Sequence, residues 1–62
     1  MNKITKIEKN GWIIYSMEVE SPYNLEGVEL PGYETALYYG EIGYNDDRGN
    51  LEWGFPAEVE GK

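Results

Sequence analysis

Two segments near the C-terminal end of the chain constrain its fold more than any other part. They run from Ala36 to Tyr44 and from Leu51 to Val59, and a polar turn from Asn45 to Asn50 joins them. If they pair as an antiparallel hairpin outward from this turn, apolar residues and glycines share one face and the carboxylates lie on the other. A slip of one residue would place Trp53 and Phe55 among the carboxylates, so burial of one face fixes the register. The predicted pairs are Tyr44–Leu51, Ile42–Trp53, Gly40–Phe55, Tyr38–Ala57 and Ala36–Val59.

The Asn10-Gly11 dipeptide predicts another hairpin, between Lys3 and Glu20. A type I′ turn needs positive φ at both central residues, which asparagine and glycine adopt most easily. The predicted register places Lys9 opposite Trp12. One face then carries Ile4, Ile13, Tyr15, Met17 and Val19, which we assign to the core. The opposite face carries Ile7, Trp12 and Ile14, which we call the apolar patch.

The apolar patch has three explanations. The strand that contains Trp12 is central and covered on both sides, the patch is a contact surface, or a bulge between Lys6 and Glu8 turns Ile7 inward. Soluble monomers usually avoid exposing such a patch. We therefore expect a contact between two copies of the chain through Ile7, Trp12 and Ile14, most simply a two-fold homodimer. The rival hypothesis is that the segment Pro22–Leu30 folds over these residues within one chain.

The remaining segment, from Ser21 to Glu34, is irregular. Ser21-Pro22 is typical of a helix start and Gly27 of a stop, so one helical turn fits between them. Leu30-Pro31-Gly32-Tyr33 has the signature of a type II turn, and Val28 to Leu30 is a possible short strand. Pro56 lacks an N–H, which favours an edge position or a bulge for the last strand.

These patterns predict an all-β protein with a single domain over residues 1–62. Its small antiparallel sheet has four to five strands in two hairpins, curls into a barrel-like meander and carries at most one helical turn. A flat meander that dimerises is the alternative. A chain of 62 residues buries a small core, and such domains often need disulfides, a metal or oligomerisation. Because the sequence has no Cys and no His, disulfides and the usual zinc ligands are excluded.

Catalysis and cofactor binding have little support in the sequence. Glu41 and Glu52 are predicted to be diagonal neighbours, but carboxylates on an exposed sheet lack the burial that raises an acid's pKa. The turn from Asn45 to Asn50 does not have the spacing of a calcium loop, and its residues are those of a hairpin turn. We expect a non-enzymatic protein without a cofactor or metal.

The sequence also bears on location. No apolar run approaches the ~20 residues of a membrane span, and the first residues do not resemble a secretion signal. We interpret the chain, which begins at Met1, as a complete small reading frame, and we expect it to be cytoplasmic.

Charge is the remaining functional signal. Twelve acidic and five basic residues give a formal net charge of −7, which argues against direct binding to nucleic acid or to an anionic membrane. The simplest interpretation is that this charge keeps a small domain soluble. The sharper hypothesis is that an acidic surface occupies a basic, nucleic-acid-binding surface of a larger protein. The candidate partner-binding residues are Glu41, Asp46, Asp47, Glu52, Glu58 and Glu60.

A very short, acidic, cysteine-free chain with many aromatic residues resembles, in general style, the small phage-encoded inhibitors of host proteins. Anti-CRISPR and anti-restriction proteins belong to this group. The resemblance lies in size and composition, because no specific motif carries it. It implies a protein-binding inhibitor. Two further hypotheses are a small-molecule binder with a tyrosine-lined pocket and a structural subunit that forms a homo-oligomer.

Overall fold

The structure, a computed structural model, describes residues 3–20, 27–45 and 47–60. They form the strands β1 (Ile4–Lys9), β2 (Trp12–Glu18), β3 (Glu41–Asn45) and β4 (Asn50–Pro56), with helix α1 (Tyr33–Tyr39) before β3 and a 3₁₀ helix (Ala57–Val59) after β4. All strand pairs are antiparallel and the strand order is β1-β2-β4-β3. The all-β prediction with two hairpins is confirmed. The barrel-like meander is wrong, because the sheet is open and β4 lies between β2 and β3.

The first hairpin has the predicted turn and the predicted register. Asn10 and Gly11 have φ of 52° and 79°, the conformation that a type I′ turn requires. Pairing runs without interruption from Lys9–Trp12 to Ile4–Met17, so this part of β1 has no bulge. Ile7 therefore stays on the face opposite the core, and the explanation that a bulge turns it inward is wrong.

The second hairpin is confirmed only near its turn. Tyr44–Leu51 and Ile42–Trp53 pair as predicted. Residues Ala36 to Tyr39 belong to α1 and residues Ala57 to Val59 to the 3₁₀ helix. The prediction of a strand over Ala36–Tyr44 is therefore wrong in its first half. The outer pairs Tyr38–Ala57 and Ala36–Val59 are wrong for the same reason, and Gly40–Phe55 is wrong because the pairing of β3 with β4 begins at Glu41–Gly54.

A turn sets the start of α1 and is the physical reason for this difference. The Tyr33 N–H donates to the Leu30 carbonyl over 3.2 Å, and Gly32 has φ of 72°, which confirms the predicted type II turn. The helix follows at once and buries Ala36 in the core. More than one helical turn is therefore present, contrary to the prediction. Residues 28–30 are not a strand, and the predicted turn at Ser21-Pro22 lies outside the described residues.

Gly40 ends α1 at a close approach between two backbones. Its N–H donates to the Ala36 carbonyl over 2.9 Å. A Cβ at this position would overlap the carbonyl oxygen of Gly54 and would lie 2.9 Å from the Cα of Phe55. Glycine is therefore required because α1 enters β3 directly against the backbone of β4.

The core lies between one face of the sheet and α1. Its buried residues are Ile13, Met17, Ala36, Leu51, Trp53 and Phe55. The Trp53 ring stacks on Tyr15 with 5.7 Å between centroids and meets Tyr33 edge-on at 5.9 Å. Its indole N–H donates to the Pro31 carbonyl over 2.8 Å. The prediction that Trp53 and Phe55 are core residues is confirmed.

The position of Pro56 shows how β4 tolerates a proline while lying inside the sheet. The Ala57 N–H donates to the Gly11 carbonyl over 2.8 Å. Hydrogen-bonded and non-hydrogen-bonded pairs alternate along an antiparallel ladder, so the next pair, Trp12–Pro56, has no hydrogen bonds between its two backbones. The nitrogen of Pro56 therefore faces the side of β3, which begins only at Glu41, opposite Gly54. The predicted edge position of β4 is wrong, since β4 pairs with both β2 and β3, and the proline is tolerated because it lies beyond the end of β3. By the same alternation, Gly54 and Glu41 form a hydrogen-bonded pair.

Candidate functional site

The face of the sheet opposite the core, which we call the outer face, carries the candidate functional residues. The apolar side chains that lie outside the strands and pack on the sheet all join the core, namely those of Val19, Val28, Leu30, Tyr33, Ala36 and Val59. Within residues 3–20, 27–45 and 47–60, the outer face is therefore not covered by a helix.

The apolar patch lies on the outer face as the register predicts. Ile7 pairs with Ile14 across β1 and β2, and Trp12 lies one position further along the same face. Ile7 is 49% exposed, whereas Trp12 and Ile14 are half-buried. In the segment that the rival hypothesis invoked, Val28 and Leu30 pack on the core, and residues 21–26 lie outside the described part. The contact between two copies stays a prediction.

The predicted acidic residues do not form one surface. Glu41 and Glu52 are exposed on the outer face, and the pairs Glu41–Gly54 and Gly43–Glu52 make them diagonal neighbours. Glu58 belongs to the 3₁₀ helix and Glu60 follows it, so neither continues this face.

The other acidic candidates have different surroundings. Glu60 pairs with Lys6 at 3.7 Å between Oε2 and Nζ, and the same Nζ lies 5.9 Å from the centroid of the Tyr15 ring. Asp47 lies in the turn before β4, where its N–H donates to Oδ1 of Asn45 over 3.0 Å. Asp46 lies outside the described residues. The structure therefore brings together two of the six acidic candidates.

Glu41 and Glu52 share an open groove with the apolar patch. The side chains of Trp12 and Ile14 lie along it, together with both carboxylates, and its volume is about 510 Å³. Gly43 and Gly54 leave its floor without side chains. A Cβ on Gly54 would lie 2.9 Å from the Ile13 carbonyl oxygen, whereas a Cβ on Gly43 would have no atom within 4 Å. We call this site the outer groove.

The charges are distributed unevenly around the outer groove. Residues 1–11 carry Lys3, Lys6, Lys9 and one glutamate, whereas residues 12–62 carry eleven acidic and two basic side chains, a formal net charge of −9. The lysines therefore follow the β1 edge of the sheet. Among the described residues the ion pair formed is Lys6–Glu60, so neither Glu41 nor Glu52 has a cationic partner there.

No family model, curated protein or solved structure matches the chain. Two findings bear on the chemistry: no group of three metal-ligating side chains occurs within the described ranges, and no helix in them is long and apolar enough to cross a membrane.

Sequence reasoning missed two features of the surface. Helix α1 exposes Leu37, Tyr38 and Tyr39 by 60%, 71% and 52%, where a strand was predicted. The Pro31-Gly32 turn with Glu34 in the first helical turn was the available signal for this helix. The groove floor was also missed, although a glycine such as Gly43 inside a strand indicates a bulge or a close approach by another group.

Proposed function

We propose that this protein is a non-catalytic protein-binding module that occupies a basic, nucleic-acid-binding surface of a larger protein and inhibits it. The observation that supports this most is the outer groove, where Trp12 and Ile14 adjoin the carboxylates of Glu41 and Glu52, which have no cationic partner in the described ranges. Protein interfaces combine a desolvated apolar centre, rich in aromatic anchors, with a polar rim. The outer groove has both parts side by side on one face of the sheet.

The size of the charge defines what the acidic surface can do. The molecule is 31 Å long in its largest dimension, and duplex DNA of that length carries about 18 charges. The formal net charge of −7 on the whole chain is under half of that value. A field of this size steers association with a basic partner and raises the rate of encounter. The apolar centre then has to supply a large share of the affinity, because exposed ion pairs contribute little.

The alternative function is a small-molecule binder or a homo-oligomeric subunit with an aromatic pocket or interface. The exposed residues of α1 favour it, because Tyr38 and Tyr39 lie together with Glu34 and Thr35 along a second shallow groove. Ionic strength separates the two functions. Binding to a basic partner weakens as salt screens the charges, whereas binding to an aromatic pocket does not.

Affinity capture from a lysate of the source organism, at low and high ionic strength, tests the proposal. The test variant reverses four acidic residues to lysine: Glu41→Lys, Asp46→Lys, Asp47→Lys and Glu52→Lys. The control variant has the same net charge but changes acidic residues away from the outer groove: Glu8→Lys, Glu20→Lys, Glu29→Lys and Glu34→Lys.

We expect the wild type and the control variant to retain a basic partner at low salt and the test variant to lose it. Circular dichroism checks that both variants fold, since exposed charges contribute little to stability. The captured protein is then assayed for nucleic-acid binding with and without this chain. Equal capture by both variants, or capture that does not depend on salt, would exclude the acidic-surface mechanism.

A further inference from the structure

The glycine at position 43 has no explanation in the fold. Gly43 is not in the positive-φ region, and β3 pairs with β4 without a bulge on either side of it. A Cβ at this position would have no atom within 4 Å, so packing does not require glycine either. Glycine weakens a strand interior relative to alanine, and where no bulge is present it marks a place that another group approaches closely.

The side chains around Gly43 define the chemistry of that group. Glu52 lies directly opposite Gly43, and Glu41 precedes it by two positions on the same face. On the other side of the Gly54 floor, Trp12 and Ile14 form an apolar wall. Two exposed carboxylates without a cationic partner among the described residues face an indole ring across an empty floor. Such a site is complementary to a flat cation with an apolar stem.

We infer that the outer groove binds an arginine side chain that projects from the basic partner. Its methylene groups lie on Ile14 and the glycine floor, its guanidinium packs on the Trp12 ring, and its N–H groups donate to Glu41 and Glu52. This inference rests on the proposed function, since it names the group on the partner that the outer face recognises.

Arginine fits this site better than lysine for geometric reasons. The side chains of diagonal residues such as Glu41 and Glu52 begin about 7–8 Å apart, and a planar guanidinium with five donors can reach both. Guanidinium also packs on an indole face more often than ammonium does. Lys9 is opposite Trp12 on β1 and repels a cation on that side, which directs the guanidinium toward the two carboxylates.

The test is an NMR titration of the ¹⁵N-labelled full chain with N-acetyl-arginine amide. The indole N–H of Trp12 is the reporter, and that of Trp53, which is buried and bonded to Pro31, is the internal reference. We expect a saturable millimolar shift at Trp12 and at the amide of Gly43, with none at Trp53. N-acetyl-citrulline amide, a neutral isostere, should give no saturable shift, and N-acetyl-lysine amide a weaker one.

Variants connect the shift to the outer groove. Glu41→Gln with Glu52→Gln should weaken arginine binding about tenfold, the loss of two charge-assisted contacts. Glu20→Gln with Glu29→Gln changes the net charge equally and should leave the titration unchanged. Gly43→Val places a side chain on the floor at a position where a Cβ meets no atom within 4 Å, so we expect a folded protein that no longer binds arginine.

Each outcome decides a different question. Equal shifts with arginine and citrulline, or unchanged binding by the variant of Glu41 and Glu52, would overturn the inference while leaving the capture experiment valid. If arginine binding is saturable and depends on both carboxylates but no basic partner is captured, the result would support the inference and contradict the proposed function. Specific arginine binding together with salt-dependent capture would support both.

Discussion

The substitution Gly40→Ala tests the close approach between α1 and β4. A Cβ at position 40 would overlap the Gly54 carbonyl oxygen and lie 2.8 Å from its carbonyl carbon. Carbon atoms in good contact are about 3.5–4.0 Å apart, so the two backbones must separate by on the order of 1 Å. Because the obstacles are backbone atoms, no side-chain rotation relieves the clash.

The cost follows from what this separation breaks. Overpacking of a rigid site costs about 1–3 kcal/mol. Moving residue 40 also strains the hydrogen-bonded pair Glu41–Gly54, whose two bonds contribute about 0.5–1.5 kcal/mol each. We expect a loss of about 3 kcal/mol in the free energy of unfolding. A chain of this size has about 3–9 kcal/mol in total, so the loss is a large part of the fold's stability.

Thermal unfolding followed by circular dichroism measures this loss. At about 4–8 °C per kcal/mol, Gly40→Ala should lower the Tm by ~12–24 °C. The control is Gly43→Ala, three positions along the chain, where the new Cβ meets no atom within 4 Å. That variant should have an unchanged or slightly higher Tm, because alanine is less costly than glycine in a strand. Equal Tm values for the two variants would refute the close approach.

Three further predictions concern the hairpins and the apolar patch. Trp53→Ala should cost about 3–5 kcal/mol, at least as much as Gly40→Ala, so a variant as stable as the wild type in chemical denaturation would contradict its place in the core. Gly11→Val should lower the Tm because a β-branched residue resists positive φ, and an unchanged melting curve would count against the type I′ turn. Sedimentation should show self-association that rises with concentration and that Trp12→Ser reduces. A strict monomer with a buried Trp12 fluorescence spectrum would favour coverage of the patch within one chain.

Local rules predicted the first hairpin because its turn and its pattern agree. The dipeptide Asn10-Gly11 specifies a two-residue turn, and the register of all the other pairs in the hairpin follows from that turn. Trp53 was predicted to be buried for a similar reason, since a one-residue slip would expose it among carboxylates. Both predictions depend on residues that are close in sequence, and both are confirmed.

The helix α1 was missed because its sequence fits both the two-residue period of a strand and the 3.6-residue period of a helix. Ala36, Tyr38, Gly40 and Ile42 alternate as a strand would, whereas Tyr33 and Ala36 are three apart, as on one face of a helix. Two distant features decide between these periods: Pro56 offers no N–H to a longer β3, and Ala36 packs in the core that the sheet forms. No short window of sequence contains that information.

The outer groove was predictable in parts and not as a whole. The apolar patch came from one hairpin and the two outer-face carboxylates from the other, and each set was assigned to the correct face. Their adjacency depends on the pairing Ile14–Gly54 between β2 and β4, which neither hairpin specifies by itself. Long-range strand order thus creates the site, and the sequence supplies only its two halves.

The outer face can serve self-association or partner binding, but not both at once. Stacked sheets pack about 10 Å apart, a gap that their own side chains fill, so a second copy on this face excludes an arginine side chain. A two-fold axis parallel to the strands would place β1 of one copy over β3 of the other, with Lys9 near the edge that carries Glu41. The charges are complementary in that arrangement. Dimerisation would then compete with the basic partner, and the apparent affinity for the arginine probe would fall as the concentration of this chain rises.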